Sequence, residues 1–275
     1  MSGVGNVLKV TLSLLLIISL AISSGGLTLA LYAKITGKPW AFSAAFIAAD
    51  DNHRQDDQNA GDEESTEDGE AAPEPYPSSA MLTAPAIRQY PELYSGCEVT
   101  SLAMLLQFAG FDKDKMELAE EMPKDPTPIR YNEDGSIAYW GNPNLGFVGE
   151  VTGKAKGFGI FHTALIKQLE SYIPSAVDLT GGEFEDIERH IAGGIPVIAW
   201  TTITFRIPDK WVVWDTPIGP IKTTFIEHAV LVVGYDENYV YVNDPYSGKA
   251  QVKVDKARFI ETWELMGKQA ITYTN

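Results

Sequence analysis

One run of ten residues, Ile226-Glu227-His228-Ala229-Val230-Leu231-Val232-Val233-Gly234-Tyr235, limits the folds open to this chain more than any other. It reads as a buried strand, followed by the turn Asp236-Glu237-Asn238 and a second strand, Tyr239-Val240-Tyr241-Val242-Asn243, which Asp244-Pro245 ends. His228 and Asp244 are each about eight residues from the centre of the turn, so antiparallel pairing sets them opposite or diagonal to one another. A residue before proline is held extended, which keeps the Asp244 carboxylate at the strand end. Asn243 points to the other face, unless the register slips by one residue and Asn243 takes the place of Asp244 beside the imidazole.

The second constraint is a helix. Ser95-Gly96-Cys97-Glu98 opens the run Val99 to Ala109, and Gly110 follows. Ser95 and Glu98 have the S-x-x-E spacing of a capping box, and Gly110 can adopt the left-handed conformation that closes a helix. Leu102, Leu105, Leu106 and Phe108 make it apolar on nearly every side, so it belongs in a core. Cys97 then lies in the first turn, where unpaired backbone N–H groups draw a thiol pKa below its reference of roughly 8.5. A helical half packed on an antiparallel sheet is an α+β fold.

The chain divides into three parts. Val10 to Ala33 carries no charge, is rich in Leu and Ile, and is bracketed by Lys9 and Lys34. It has about the length that crosses a bilayer as a helix. Residues 1–38 read as a membrane anchor, with a cleaved signal peptide and secretion as the alternative. The two flanks carry too similar a lysine count to fix the orientation. Residues 39–80 contain an acidic stretch, Asp50 to Ser79, with hardly any large apolar residue. Such a stretch reads as a disordered linker. Residues 81–275 form one compact domain.

Composition excludes some functions. The net charge of −16, with no Lys/Arg cluster, argues against nucleic acid as a partner. A single cysteine allows no internal disulfide. Of the four histidines, His53 falls in the linker, His162 starts a helix running to Ile173, and His190 lies in a last helical turn before Gly193-Gly194. His162 and His190 read as structural. His228 alone has a carboxylate set beside it by local geometry, able to orient the ring and support an imidazolium. No spacing such as H-x-x-x-H points to a metal, so neither metal nor cofactor is expected.

Gly96-Cys97-Glu98-Val99-Thr100-Ser101-Leu102-Ala103-Met104, Gly194-Ile195-Pro196-Val197-Ile198, His228 to Asp236 and Asn243-Asp244-Pro245 resemble the bacteriocin-processing C-39 peptidases, a branch of the papain-like cysteine peptidases. Trp140-Gly141-Asn142-Pro143 and Gly146-Phe147-Val148-Gly149 bring the likeness closest to the stand-alone C-39-like domains of Gram-positive bacteria. The resemblance covers Ala84 to the C-terminus. It implies a papain-like fold in which Cys97 is the nucleophile, His228 the general base, Asp244 the residue that orients the imidazole, and Gln89 an oxyanion-hole donor. Gln89 stands two residues further from the cysteine than in papain-like enzymes, which calls for a bulged loop through Pro91 and Tyr94. No nucleotide-binding region accompanies the domain, so the double-glycine specificity of transporter-fused members does not carry over.

The expected protein is therefore a membrane-anchored cysteine peptidase with its catalytic domain outside the cell and a peptide or protein as substrate. The rivals are a non-catalytic surface module that binds a peptide or wall polymer on the same fold, and a peptidoglycan amidase or transpeptidase. The loops 123–159 and 205–223, with Trp211 and Trp214, line a substrate groove or pack as core or lid.

Overall fold

The computed structural model describes residues 76–275. The expected anchor, nearly all of the expected linker and His53 lie outside the described residues. In chain order the elements are β1 (Ala80–Met81), α1 (Cys97–Phe108), α2 (Lys115–Glu121), β2 (Lys124–Asp125), β3 (Arg130–Tyr131), β4 (Ile137–Tyr139), β5 (Phe147–Val148), α3 (His162–Tyr172), β6 (Ala176–Asp178), α4 (Phe184–Ala192), β7 (Val197–Thr202), β8 (Val212–Trp214), β9 (Ile221–Thr223), β10 (Glu227–Tyr235), β11 (Tyr239–Asp244), β12 (Lys249–Asp255), α5 (Lys256–Leu265) and β13 (Ala270–Tyr273). The α+β architecture is the expected one.

The main sheet is antiparallel with the order β12-β11-β10-β7-β13-β6, and β1 pairs with the far end of β10. Every residue of β10 is buried, because helices cover both faces of the sheet. Ala229, Leu231 and Val233 alternate onto the face packed by α1 and α3. Val230 and Val232 alternate onto the opposite face, with Phe184, Ile187 and Ile191 of α4 and Phe259 and Trp263 of α5. This two-sided cover explains why the strand is a continuous apolar run rather than an alternating one.

Helix α1 is buried along ten of its twelve residues, as its composition requires. Its C-terminus closes as expected: Gly110 has φ +92°, and the N–H groups of Gly110 and Phe111 donate to the carbonyls of Gln107 and Leu106. This is a Schellman arrangement. The N-terminus differs from expectation. Gly96 is the N-cap, no side chain caps the helix, and Glu98 turns into the core instead of back to the cap.

Helix α1 meets β10 at an edge. Trp200, opposite Ala229 on β7, donates its N–H to Gln269 on the far side of the strand, so Ala229 and Trp200 are a non-hydrogen-bonded pair. The polar groups of Ala229 therefore face away from β7. β11 pairs with β10 only from Leu231 onward, and Ser101 of α1 donates its hydroxyl to the Ala229 carbonyl at 3.2 Å.

Replacing Leu102 by alanine should cost about 2–5 kcal/mol of unfolding free energy, since a fully buried side chain leaves a cavity that rigid neighbours on the sheet do not fill. Val213→Ala, at a position 58% exposed, should change it by less than about 0.5 kcal/mol. Urea titration of both variants checks the contrast; equal effects would contradict the packing described.

Candidate functional site

The hairpin brings His228 and Asp244 together. Leu231 pairs with Asn243, which sets Val230 opposite Asp244 and His228 diagonal to it on the same face. His228 Nε2 lies 2.7 Å from Asp244 Oδ1, with the imidazole almost wholly buried. The carboxylate is locked by the turn that follows: Oδ1 accepts the Tyr246 N–H, and Oδ2 accepts the Ser247 N–H and hydroxyl. Burial alone would raise the Asp244 pKa, but the imidazole and these donors together hold it at about 2. Asn243 points to the other side, where its amide donates to the Ala84 and Pro85 carbonyls and its oxygen accepts the Gln251 N–H. It is fully used there, so Asp244 is the partner of the ring.

Cys97 opens α1 beside the same stretch of β10. Its sulfur is set beside the Ala229 N–H, and Ser101, one turn on, donates its hydroxyl to the Ala229 carbonyl. The thiol donates to Glu98 Oε2 at 3.3 Å, so among the described residues its hydrogen-bond acceptor is a carboxylate and not the imidazole. Cys97 Sγ and carboxylate oxygens of Glu98 and Glu227 all lie within 4.8 Å of one another.

This acid pair reverses the expectation for the thiol. Burial, then the charges of Glu98 and Glu227, push the Cys97 pKa well up, and the Ala229 N–H only partly offsets them. Burial lifts Glu98 to about 7, against the pull of the Ile160 N–H it accepts at 2.8 Å. Burial and the charge of Glu98 push Glu227 well above the usual carboxylate range. Gly159 makes room for the pair, since a Cβ there would collide with Glu98 Oε1 and crowd Glu227 Oε2. The S-x-x-E spacing assigns Glu98 to a helix cap, and no motif marks Glu227. The available signal was the presence of two glutamates inside runs that are otherwise apolar.

Gln89 is buried in the loop before α1. Its N–H donates to the carbonyl of Pro245, next to Asp244, and its side-chain amide donates to Tyr94 O at 3.1 Å. The chain turns between them, with the Leu93 N–H returning to Gln89 O. The side-chain oxygen of Gln89 is buried without a partner. An unforeseen aromatic group adjoins this loop: Tyr90 makes edge contacts with both Tyr94 and Tyr246, and Tyr246 meets the His228 ring edge-on.

Trp214 is core rather than groove lining, packed on Trp140 and Phe158 with its indole N–H on Gly141 O. Trp211, Phe225, Ile226, Val212 and Lys156 border a cavity of about 610 Å³ that ends against the start of β10. His162 and His190 are structural, as read: His162 contacts Gln269 and Asp178, and His190 Nδ1 contacts the Asp186 carbonyl. No helix among the described residues is long and apolar enough to cross a membrane.

A model of the Peptidase_C39 like family matches residues 81–271. YvpB of Bacillus subtilis (strain 168), described as uncharacterized, is 41% identical over 182 residues, which are 66% of this chain and 70% of that protein. A Bacillus anthracis chain whose crystal structure is titled that of a "putative C39-like peptidase" superposes with a TM-score of 0.65 at 41% identity, over 72% of this chain and 98% of that one. The fold, with its helices against an antiparallel sheet, matches that architecture.

The acid pair sets the pH dependence of stability. Both carboxyls have raised pKa values in the folded state, so their contribution is full below about 4.5 and is lost as pH rises. For Glu98, a shift from 4.5 to about 7 corresponds to a loss on the order of 3 kcal/mol. Glu227→Gln should therefore gain stability over the wild type as pH rises above about 4.5, read by urea midpoints at each pH. A difference that stays flat with pH would contradict a buried pair of acids.

Proposed function

Because this chain belongs to the Peptidase_C39 like family, we propose that it is a cysteine peptidase held outside the cell by its N-terminal segment, with Cys97 as nucleophile, His228 as general base and Asp244 orienting the imidazole. The observation that carries this reading is the buried 2.7 Å pair of His228 and Asp244, with His228 on the strand whose edge meets the first turn of α1. With Nε2 committed to the carboxylate, Nδ1 is the nitrogen left to move a proton. In this mechanism the thiolate adds to the substrate carbonyl and His228 gives the proton to the departing amine. Water then hydrolyses the thioester, so the overall reaction is peptide plus water to acid plus amine. The Cys97 N–H, at the head of α1, and the Gln89 amide are the proposed oxyanion donors. For Gln89 this requires its donor to leave the Tyr94 carbonyl or to use its second hydrogen. The cavity bordered by Trp211 and Phe225 is the proposed seat for an apolar side chain of the substrate.

One observation favours a second reading more directly. The thiol is bonded to Glu98, flanked by Glu227, and held neutral by burial, the opposite of an activated nucleophile. A non-catalytic surface module that binds a peptide or wall polymer fits that state without any change.

Product analysis of peptide and peptidoglycan mixtures incubated with the full-length protein separates the two. Hydrolysis that drops by about three or more orders of magnitude in both Cys97→Ala and His228→Ala supports the peptidase. Retention of a ligand without any Cys97-dependent cleavage establishes the binding module.

A further inference from the structure

We propose that Cys97, Glu98 and Glu227 bind one thiophilic divalent cation of the zinc type. The inference does not depend on peptide hydrolysis; it concerns what the thiol and the two acids do when no substrate is engaged.

Three observations carry it. The sulfur and the two carboxylate oxygens lie within 4.8 Å of one another, so some point lies within about 2.8 Å of all three. Zn–S bonds of about 2.3 Å and Zn–O bonds of about 2.0–2.2 Å are reached from there by small side-chain rotations. Second, the Glu227 carboxylate, on a residue only 6% exposed, makes no hydrogen bond among the described residues, and its Oε1 is sealed from solvent without a partner. A buried carboxylate left in this way calls for a proton or a cation. Third, no Lys or Arg among the described residues pairs with Glu98 or Glu227, and the nearby imidazole is committed to Asp244.

The donor set indicates which cation. A thiolate beside two carboxylates selects zinc or cadmium over magnesium or calcium, which prefer oxygen alone. Three protein donors leave a fourth position for water. Binding releases the thiol proton and any proton the carboxyls hold to solvent. The sulfur lone pair then belongs to the metal, so metal binding and nucleophilic attack exclude one another. Sequence spacing gives no hint of this site, because 97 and 98 meet 227 only through the packing of α1 against β10.

The test is titration of the reduced full-length protein with cadmium, followed by its thiolate-to-cadmium charge-transfer absorption and by equilibrium dialysis. The expected result is one equivalent bound, with a band that is absent in Cys97→Ala and displaced by zinc. Glu98→Gln and Glu227→Gln should each weaken binding by about tenfold or more, whereas His228→Ala should leave it unchanged. X-ray absorption of the zinc-loaded native protein should show one sulfur in an oxygen shell without imidazole scattering, a reading that depends on no variant. Absence of the band at saturation, native affinity in Glu227→Gln, or an imidazole in the zinc shell would each overturn the proposal. None of these readouts involves turnover, so an inactive protein leaves the inference standing.

Discussion

The contact between α1 and the backbone of Ala229 organises everything around the site. In a regular sheet the outward-facing N–H and C=O of Ala229 would pair with a neighbouring strand, but β11 has already ended. Helix α1 covers both groups through residues one turn apart, with the Cys97 sulfur beside the N–H and the Ser101 hydroxyl donating to the carbonyl. Buried backbone groups left unpaired cost about 1–3 kcal/mol each, so this edge fixes the height and rotation of the helix. The thiol is therefore set against the residues that flank His228 on either side.

The electrostatics of the thiol turn on relative magnitudes. A helix N-terminus favours a charge in its first turn by about 0.3–1 kcal/mol, and up to about 2 in partly buried sites. Moving an ion out of water costs several kcal/mol even after relaxation. Here the same burial that makes α1 a core helix removes the thiol from water and places two carboxyls beside it. The dipole is present and is outweighed.

Much of the frame was legible because it follows from local rules. The β10–β11 hairpin, the diagonal placement of His228 and Asp244, the all-round burial of α1 and its glycine terminus come from periodicity, turn chemistry and conformational preference. Strand alternation also puts Asn243 on the other face, and its three bonds to Ala84, Pro85 and Gln251 show why the register does not slip. The role of Glu98 was not legible. A glutamate three residues after a serine satisfies the capping pattern, and only the approach of Ile160 from a distant loop turns its side chain inward. Glu227 and Gly159 meet Glu98 by the same long-range route. The pairing of Tyr90 with Tyr246 depends on the two loops that carry Gln89 and Pro245 lying side by side.

Gly159 ties the outer loop to the chemistry of the core. Its lack of a side chain is what leaves the two carboxyls their space, so an alanine there forces one acid out of position. Positions 98, 159 and 227 consequently form a single unit of substitution: a homologous chain with a larger residue at the glycine should also carry a smaller or neutral residue at one of the glutamates. Comparing those three positions is enough to sort family members into those that keep an acid-lined thiol and those whose sulfur sits in a neutral setting.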